Sequence, residues 1–320
     1  MTTEAGASAV DGGGRQAPKD FRGGLRRALA LRERRRLWPE IVLVLLVGVV
    51  LPLSWALSSF LPMIGLDTMT ELHVRAIVHS QSGEMPPYEY EAYGFASESD
   101  MRDAIREAQG AQTMIGMLAL LGSSAWVVAV VLLVCRHSRV RAVRGVREVG
   151  IRFDKLARDL GIGVLAAVAA MMVTMSLHYA IVYIAEQTGL SRRLWFYSAY
   201  SWEHQRFVGA IGLLVGGVAL LANSVAEELV CRAYLISRLQ RVGLRQVHAL
   251  LVSSALFASY HIYYGVGGVI DIFAFGLVMG VVFMWTGRLL PVVIAHTLYN
   301  FALFAFVAWF PDAIAAWSGP

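Results

Sequence analysis

The sequence predicts an all-α fold, a polytopic transmembrane helical bundle of about seven to eight spans around an intramembrane polar cavity. Three observations predict it. Of 320 residues, 57% are hydrophobic and 16% charged, against roughly 25% charged in a soluble domain. Apolar runs of about 20 residues recur, each long enough to cross a hydrocarbon core of about 30 Å as a helix. The loops between them alternate in charge, as loops on opposite faces of a membrane do. The net charge of +5 is accounted for by arginines clustered in the loops on one side. It therefore orients the chain among membrane lipids and does not point to a nucleic acid.

In chain order, residues 1–37 read as a disordered, basic cytoplasmic tail. The first 20 are rich in small and polar residues with no apolar period, and seven arginines follow between Arg22 and Arg36, ahead of Trp38-Pro39. No small-residue cleavage site closes the first apolar run, so a cleaved signal peptide is not expected. Residues 38–206 carry the N-terminal membrane helices, with spans near 41–65, 112–135 and 160–185. Between the first two, residues 66–110 form an acidic loop, assigned to the outer side, whose polar stretch from Ser97 to Gln109 suits a short surface helix. Residues 136–158 are basic and return to the cytoplasm. Residues 190–207 gather Trp195, Phe196, Tyr197, Tyr200 and Trp202 into an aromatic belt at the outer interface. A core follows over 207–310, with spans near 207–236, 248–264, 266–287 and 289–310, and residues 311–320 are a short tail. Seven crossings of the plasma membrane put the N-terminus in the cytoplasm and the C-terminus outside, beside Asp312.

Four isolated polar or thiol positions have ordinary readings. Cys135 and Cys231 are expected to pack as small hydrophobes near the cytoplasmic side, without a disulfide. His178 reads as a packed or interfacial histidine, and Asp271 as a cap near the outer end of the sixth span.

The charges of Ala226-Glu227-Glu228-Leu229-Val230-Cys231-Arg232 have no such reading. An unpaired charge at a helix centre costs about 2.5–3.5 kcal/mol on insertion scales, so a buried ionisable residue in a span is a functional candidate. Glu228 and Arg232 are four apart, on one helical face, and can pair. Glu227 is rotated about 100° from its neighbour and looks elsewhere, onto a polar seam with Asn223 and Ser224. One acid is held and the other is free.

Two buried histidines follow, each with a partner at i, i+4: Phe257 with His261, and His296 with Asn300. Each pair shares a helix face. At about 1.5 Å per residue, His296 lies on the order of 10 Å from its cytoplasmic helix end, Glu227 roughly 14 Å and His261 about 20 Å. With tilts of about 20°, these depths are compatible with one buried site. A carboxylate, two imidazoles and a carboxamide there suit hydrolysis: the acid takes a proton from water, and the other groups stabilise an oxyanion. Glu227, His261 and His296 can equally hold zinc.

These residues resemble the motifs of the CPBP family of intramembrane proteases, which includes the CAAX prenyl-protein endopeptidases and bacterial relatives linked to bacteriocin processing and self-immunity. Three motifs match in order: Glu227-Glu228-x-x-x-Arg232, Phe257-x-x-x-His261 and His296-x-x-x-Asn300. The resemblance covers about residues 207–305. It implies an all-α membrane (metallo)endopeptidase with a cavity reaching from the cytoplasmic side. Its substrate is a peptide or protein with an accessible C-terminal region. By the same resemblance Glu227 activates the water, His261 helps hold it, and His296 with Asn300 stabilises the oxyanion; Zn2+ is an optional cofactor. Two rivals remain. A non-proteolytic scaffold or immunity protein of this fold would leave Glu227 and both histidines needlessly polar. A proton-coupled transporter calls for paired broken helices, which the hydropathy pattern does not contain.

Overall fold

The computed structural model describes residues 19–53, 98–138, 150–188 and 209–309. The expectations for residues 1–18, for the acidic loop over 66–97, for the middle of the basic loop over 139–149, for the aromatic segment 190–207 and for the tail 311–320 lie outside them. The described residues form helices and no strand.

Seven helices carry the fold. α1 (Lys19–Leu45) continues into a π-helical turn (Leu46–Val50); α2 is Glu98–His137 and α3 Leu156–Thr188. α4 (Gly209–Glu228) runs without a break into a π-helical segment (Leu229–Ile236) and a last α-helical turn (Ser237–Arg241). α5 (Gln246–Ser259) is joined through a 3-10 turn (Ile262–Tyr264) to α6 (Gly265–Thr286), and α7 is Leu289–Trp309. Five stretches are long and apolar enough to cross a membrane: Leu31–Leu53, Met114–His137, Leu156–Ala185, Leu214–Arg241 and Gly265–Thr286. Gln246–Ser259 and Leu289–Leu303 are shorter apolar helices. The chain is a helical membrane-type bundle, as its hydropathy predicts.

Three boundaries differ from the sequence reading. The basic segment is helical from Lys19 rather than disordered to residue 37, and Pro39 lies inside α1 instead of opening a span. Leu37, Ile41 and Val44, three or four apart, are all buried, so a packed stripe carries the helix through the proline. The polar stretch 98–109 is the first part of α2, not a separate surface helix. α5 stops at Ser259, and the chain turns through Tyr260 and His261 to Gly265, whose φ of 79° favours glycine.

The π segment of α4 is the centre of the bundle. All eight of its residues are buried, packed by α2, α5, α6 and α7. Small residues set the helix spacing, as expected where lipid offers no hydrophobic drive for association. A Cβ at Gly163 of α3 would lie 2.7 Å from Ile294 Cβ and 3.0 Å from the Pro291 carbonyl of α7, and one at Gly276 of α6 would lie 3.1 Å from Ser254 Cβ of α5.

Polar ties fix the rest. His178 of α3 and Asp271 of α6 approach at 2.9 Å, so the histidine is paired and the aspartate bonds a neighbouring helix rather than capping its own. Tyr299 donates to Thr174 at 3.0 Å between α7 and α3. Arg288, at the α6–α7 junction, lies 2.8 Å from the buried Asp159 and 2.9 Å from the exposed Asp154, and the Leu289 N–H donates to the Gly150 carbonyl at 2.9 Å. The hydrogen bond to Asp159 raises Arg288 above its ordinary value, and the hydrogen bond from Arg288 lowers Asp154. Arg238 is buried, its guanidinium 3.8 Å from Cys135 Sγ and over the Tyr234 ring at 5.1 Å. Cys135 and Cys231 are free and buried.

Candidate active site

The last α-helical turn of α4 delivers Glu227 and Glu228 into the bundle, and the π segment starts at the next residue. Widened turns of this kind are frequent at functional sites. Glu228 is fully buried; its Oε1 lies 3.1 Å from Arg232 Nη1, so the expected pair forms. The guanidinium also sits 4.1 Å over the Phe257 ring, a contact that charge and a π face can supply together.

Glu227 keeps 14% of its side-chain surface exposed and is met by both histidines. His261 Nε2 is 3.9 Å from its Oε1 and His296 Nε2 is 3.5 Å from its Oε2. His261 lies just past the end of α5, yet keeps its predicted relation to Phe257. Its Nδ1 is 2.9 Å from the Phe257 carbonyl and the two rings are 5.0 Å apart. His296 lies two turns into α7, with Nδ1 2.8 Å from Glu228 Oε1 and the Phe275 ring packed edgewise at 4.8 Å.

These partners assign the ring protons. A carbonyl and a carboxylate can only accept, so Nδ1 carries hydrogen in both histidines and both Nε2 atoms point at the Glu227 carboxylate. The two rings differ in what lies behind them. His261 rests on a neutral carbonyl, which leaves Nε2 an acceptor. His296 rests on the Glu228 carboxylate.

Sequence reasoning therefore places Glu227, Glu228, Arg232, Phe257, His261 and His296 in one cluster, and the structure assembles all six. Asn300 follows His296 by one turn, half-buried, with no hydrogen bond to the others among the described residues. The contact of Glu228 with His296 and the Phe275 wall were not anticipated. On the side of Arg238 and Arg241 every residue of Leu229–Ile236 is buried. The half-buried polar residues lie the other way, at Asn223 and Asn300.

Two further cavities are not lined by the cluster. One of about 220 Å³ lies among Arg152, Ser237, Gln240 and Gln246 at the basic-loop end, and an apolar one of about 300 Å³ lies between α2 and α4. Among the described residues no group of three or more His, Cys, Asp or Glu is arranged to hold a metal ion. Glu227 offers a different oxygen to each imidazole.

The fold and cluster define a class: helical membrane proteins with a buried glutamate–histidine centre able to polarise water. The comparisons give it a relative. Residues 208–302 match the family described as Type II CAAX prenyl endopeptidase Rce1-like. The match covers under a third of the chain and spans all three motifs, consistent with the CPBP resemblance. No curated protein and no solved structure matches the chain.

Proposed function

We propose that the protein is an intramembrane endopeptidase that hydrolyses a peptide bond near the C-terminus of a membrane-associated protein or peptide. The observation that carries this reading is the largely buried Glu227 carboxylate faced by two Nε2 atoms at 3.5 and 3.9 Å. The similarity of residues 208–302 to CAAX prenyl endopeptidases supports it.

In the proposed reaction a water lies between Glu227 and His261, giving one hydrogen to the carboxylate and the other to His261 Nε2. Glu227 takes its proton as the water oxygen attacks the peptide carbonyl. The carbonyl π bond breaks and its electron pair becomes the oxyanion. His296, its Nδ1 held by the Glu228 carboxylate, and the Asn300 carboxamide stabilise that oxyanion. Collapse re-forms the carbonyl and breaks the C–N bond, and Glu227 hands its proton to the departing amine. No step is assigned to zinc, because the donor set does not close on one point.

The proposed setting is the plasma membrane, with the N-terminus cytoplasmic. The experiment is mass-spectrometric detection of cleavage in a peptide library by the purified protein, beside Glu227→Gln. Identical products from both would rule the reading out.

A further inference from the structure

Glu227 is not the only polar side chain that α4 turns toward the interior. At 100° per residue, Asn223 lies one turn before Glu227 on the same face. Its neighbours on that face, Ala219, Leu220 and Ala226, are 0–5% exposed, yet Asn223 itself is only half-buried. A side chain on the packed face of a helix keeps exposure where open space lies beside it. Ser224 satisfies its hydroxyl on the Leu220 carbonyl at 2.9 Å, whereas Asn223 makes no hydrogen bond among the described residues. A carboxamide in an apolar span without a partner of its own is costly.

The level of that space follows from how α4 and α7 pack. A Cβ at Gly217 would lie 3.8 Å from the Phe301 ring, and Glu227 meets His296 at 3.5 Å, so the two helices run antiparallel here. Between those two contacts Asn223 falls within one turn of the level of Asn300, which is also half-buried on the inward side of its helix. On the opposite side of Glu227 the π segment is packed shut. Two half-buried carboxamides thus lie on the side of the cluster away from the π segment.

We propose that Asn223 is a substrate-binding residue. Its Oδ1 accepts from a main-chain N–H and its Nδ2 donates to a main-chain carbonyl of an extended peptide bound alongside Glu227. The substrate class is an unfolded or extended segment, because only there are both main-chain groups unpaired. In an apolar surrounding each such group needs a partner, and a carboxamide supplies both polarities at once. This rests on the endopeptidase reading above.

The test uses the purified full chain and one peptide, chosen as a sequence that wild type cuts in the library screen. KM, kcat and melting temperature are measured for wild type, Asn223→Ala, Asn223→Gln and Glu227→Gln. Asn223→Ala is expected to raise KM about tenfold, the loss of one to two hydrogen bonds, with kcat within about twofold and melting unchanged. Asn223→Gln should recover part of the loss. An unchanged KM in Asn223→Ala, with Glu227→Gln inactive, overturns this inference alone. So does a lowered melting temperature in both Asn223 variants with kcat and KM degraded together, since that marks a packing role. Equal cleavage by wild type and Glu227→Gln overturns the endopeptidase reading and this inference with it.

Discussion

His296 Nδ1 lies 2.8 Å from Glu228 Oε1, so the acid that pairs with Arg232 also holds the imidazole that faces Glu227. Glu228 is thus more than a counter-ion. Glu228→Gln removes the partner of a buried guanidinium, which costs about 3–5 kcal/mol, and at the same time frees the ring of His296. Melting temperature and turnover should both fall. The double variant Glu228→Gln/Arg232→Met removes both members of the buried pair and should regain melting but not turnover. Recovery of both would mean that the orientation of His296 does not depend on Glu228.

Glu227 has a different profile, keeping 14% of its side-chain surface exposed and meeting the two histidines. Glu227→Gln is expected to melt like wild type and to lower peptide hydrolysis by about 10²–10⁴-fold, the usual worth of a positioned base. A folded, fully active variant would hand the base role to another group.

The parts of this site that the sequence makes legible are those that helix periodicity can express. Glu228 with Arg232, Phe257 with His261 and His296 with Asn300 are each four apart, and charge in an apolar run marks them as costly. Contacts between distant segments have no such signature. His296 and Glu228 are 68 residues apart, His178 and Asp271 are 93, and Arg288 and Asp159 are 129. Two helix ends were misread for local reasons. Pro39 has the look of a helix start but is carried inside α1 by a buried stripe. The end of α5 falls in an uninterrupted apolar run whose one stop signal is Gly265.

Zinc is decided by elemental analysis. Because no three ligand side chains among the described residues are arranged to hold a metal, metal is expected to be well below one per chain and unchanged in His261→Ala and His296→Ala. Peptide cleavage should persist after dialysis against a chelator. One zinc per chain, lost in both variants, would move the attacking water onto the metal.

α7 carries His296 and is seated on α3 through Gly163, where a Cβ would come within 2.7 Å of Ile294 Cβ and 3.0 Å of the Pro291 carbonyl. Gly163→Ala should therefore push α7 away and cost about 1–3 kcal/mol. Turnover should fall with it, since Ile294 is two residues before His296. Thermal melting and single-turnover cleavage check this, and a stable, active variant would show that α7 can shift without disturbing the site.

The tie between Arg288 and the segment over 150–159 gives a pH dependence with a definite sign. Asp154 accepts from Arg288 Nη1 at 2.9 Å, and that bond holds its carboxyl below the ordinary value. As pH falls, the unfolded chain binds a proton at Asp154 first, near about 3.9, while the folded chain resists until a lower pH. The contribution is therefore complete above about pH 5 and is lost as pH drops through the folded value. Asp154 is open to water, so the effect is small. The melting temperature of wild type should fall more steeply between about pH 5 and pH 3 than that of Asp154→Asn, in which this group no longer titrates. Parallel curves for the two proteins would show that Arg288 is held by the buried Asp159 alone.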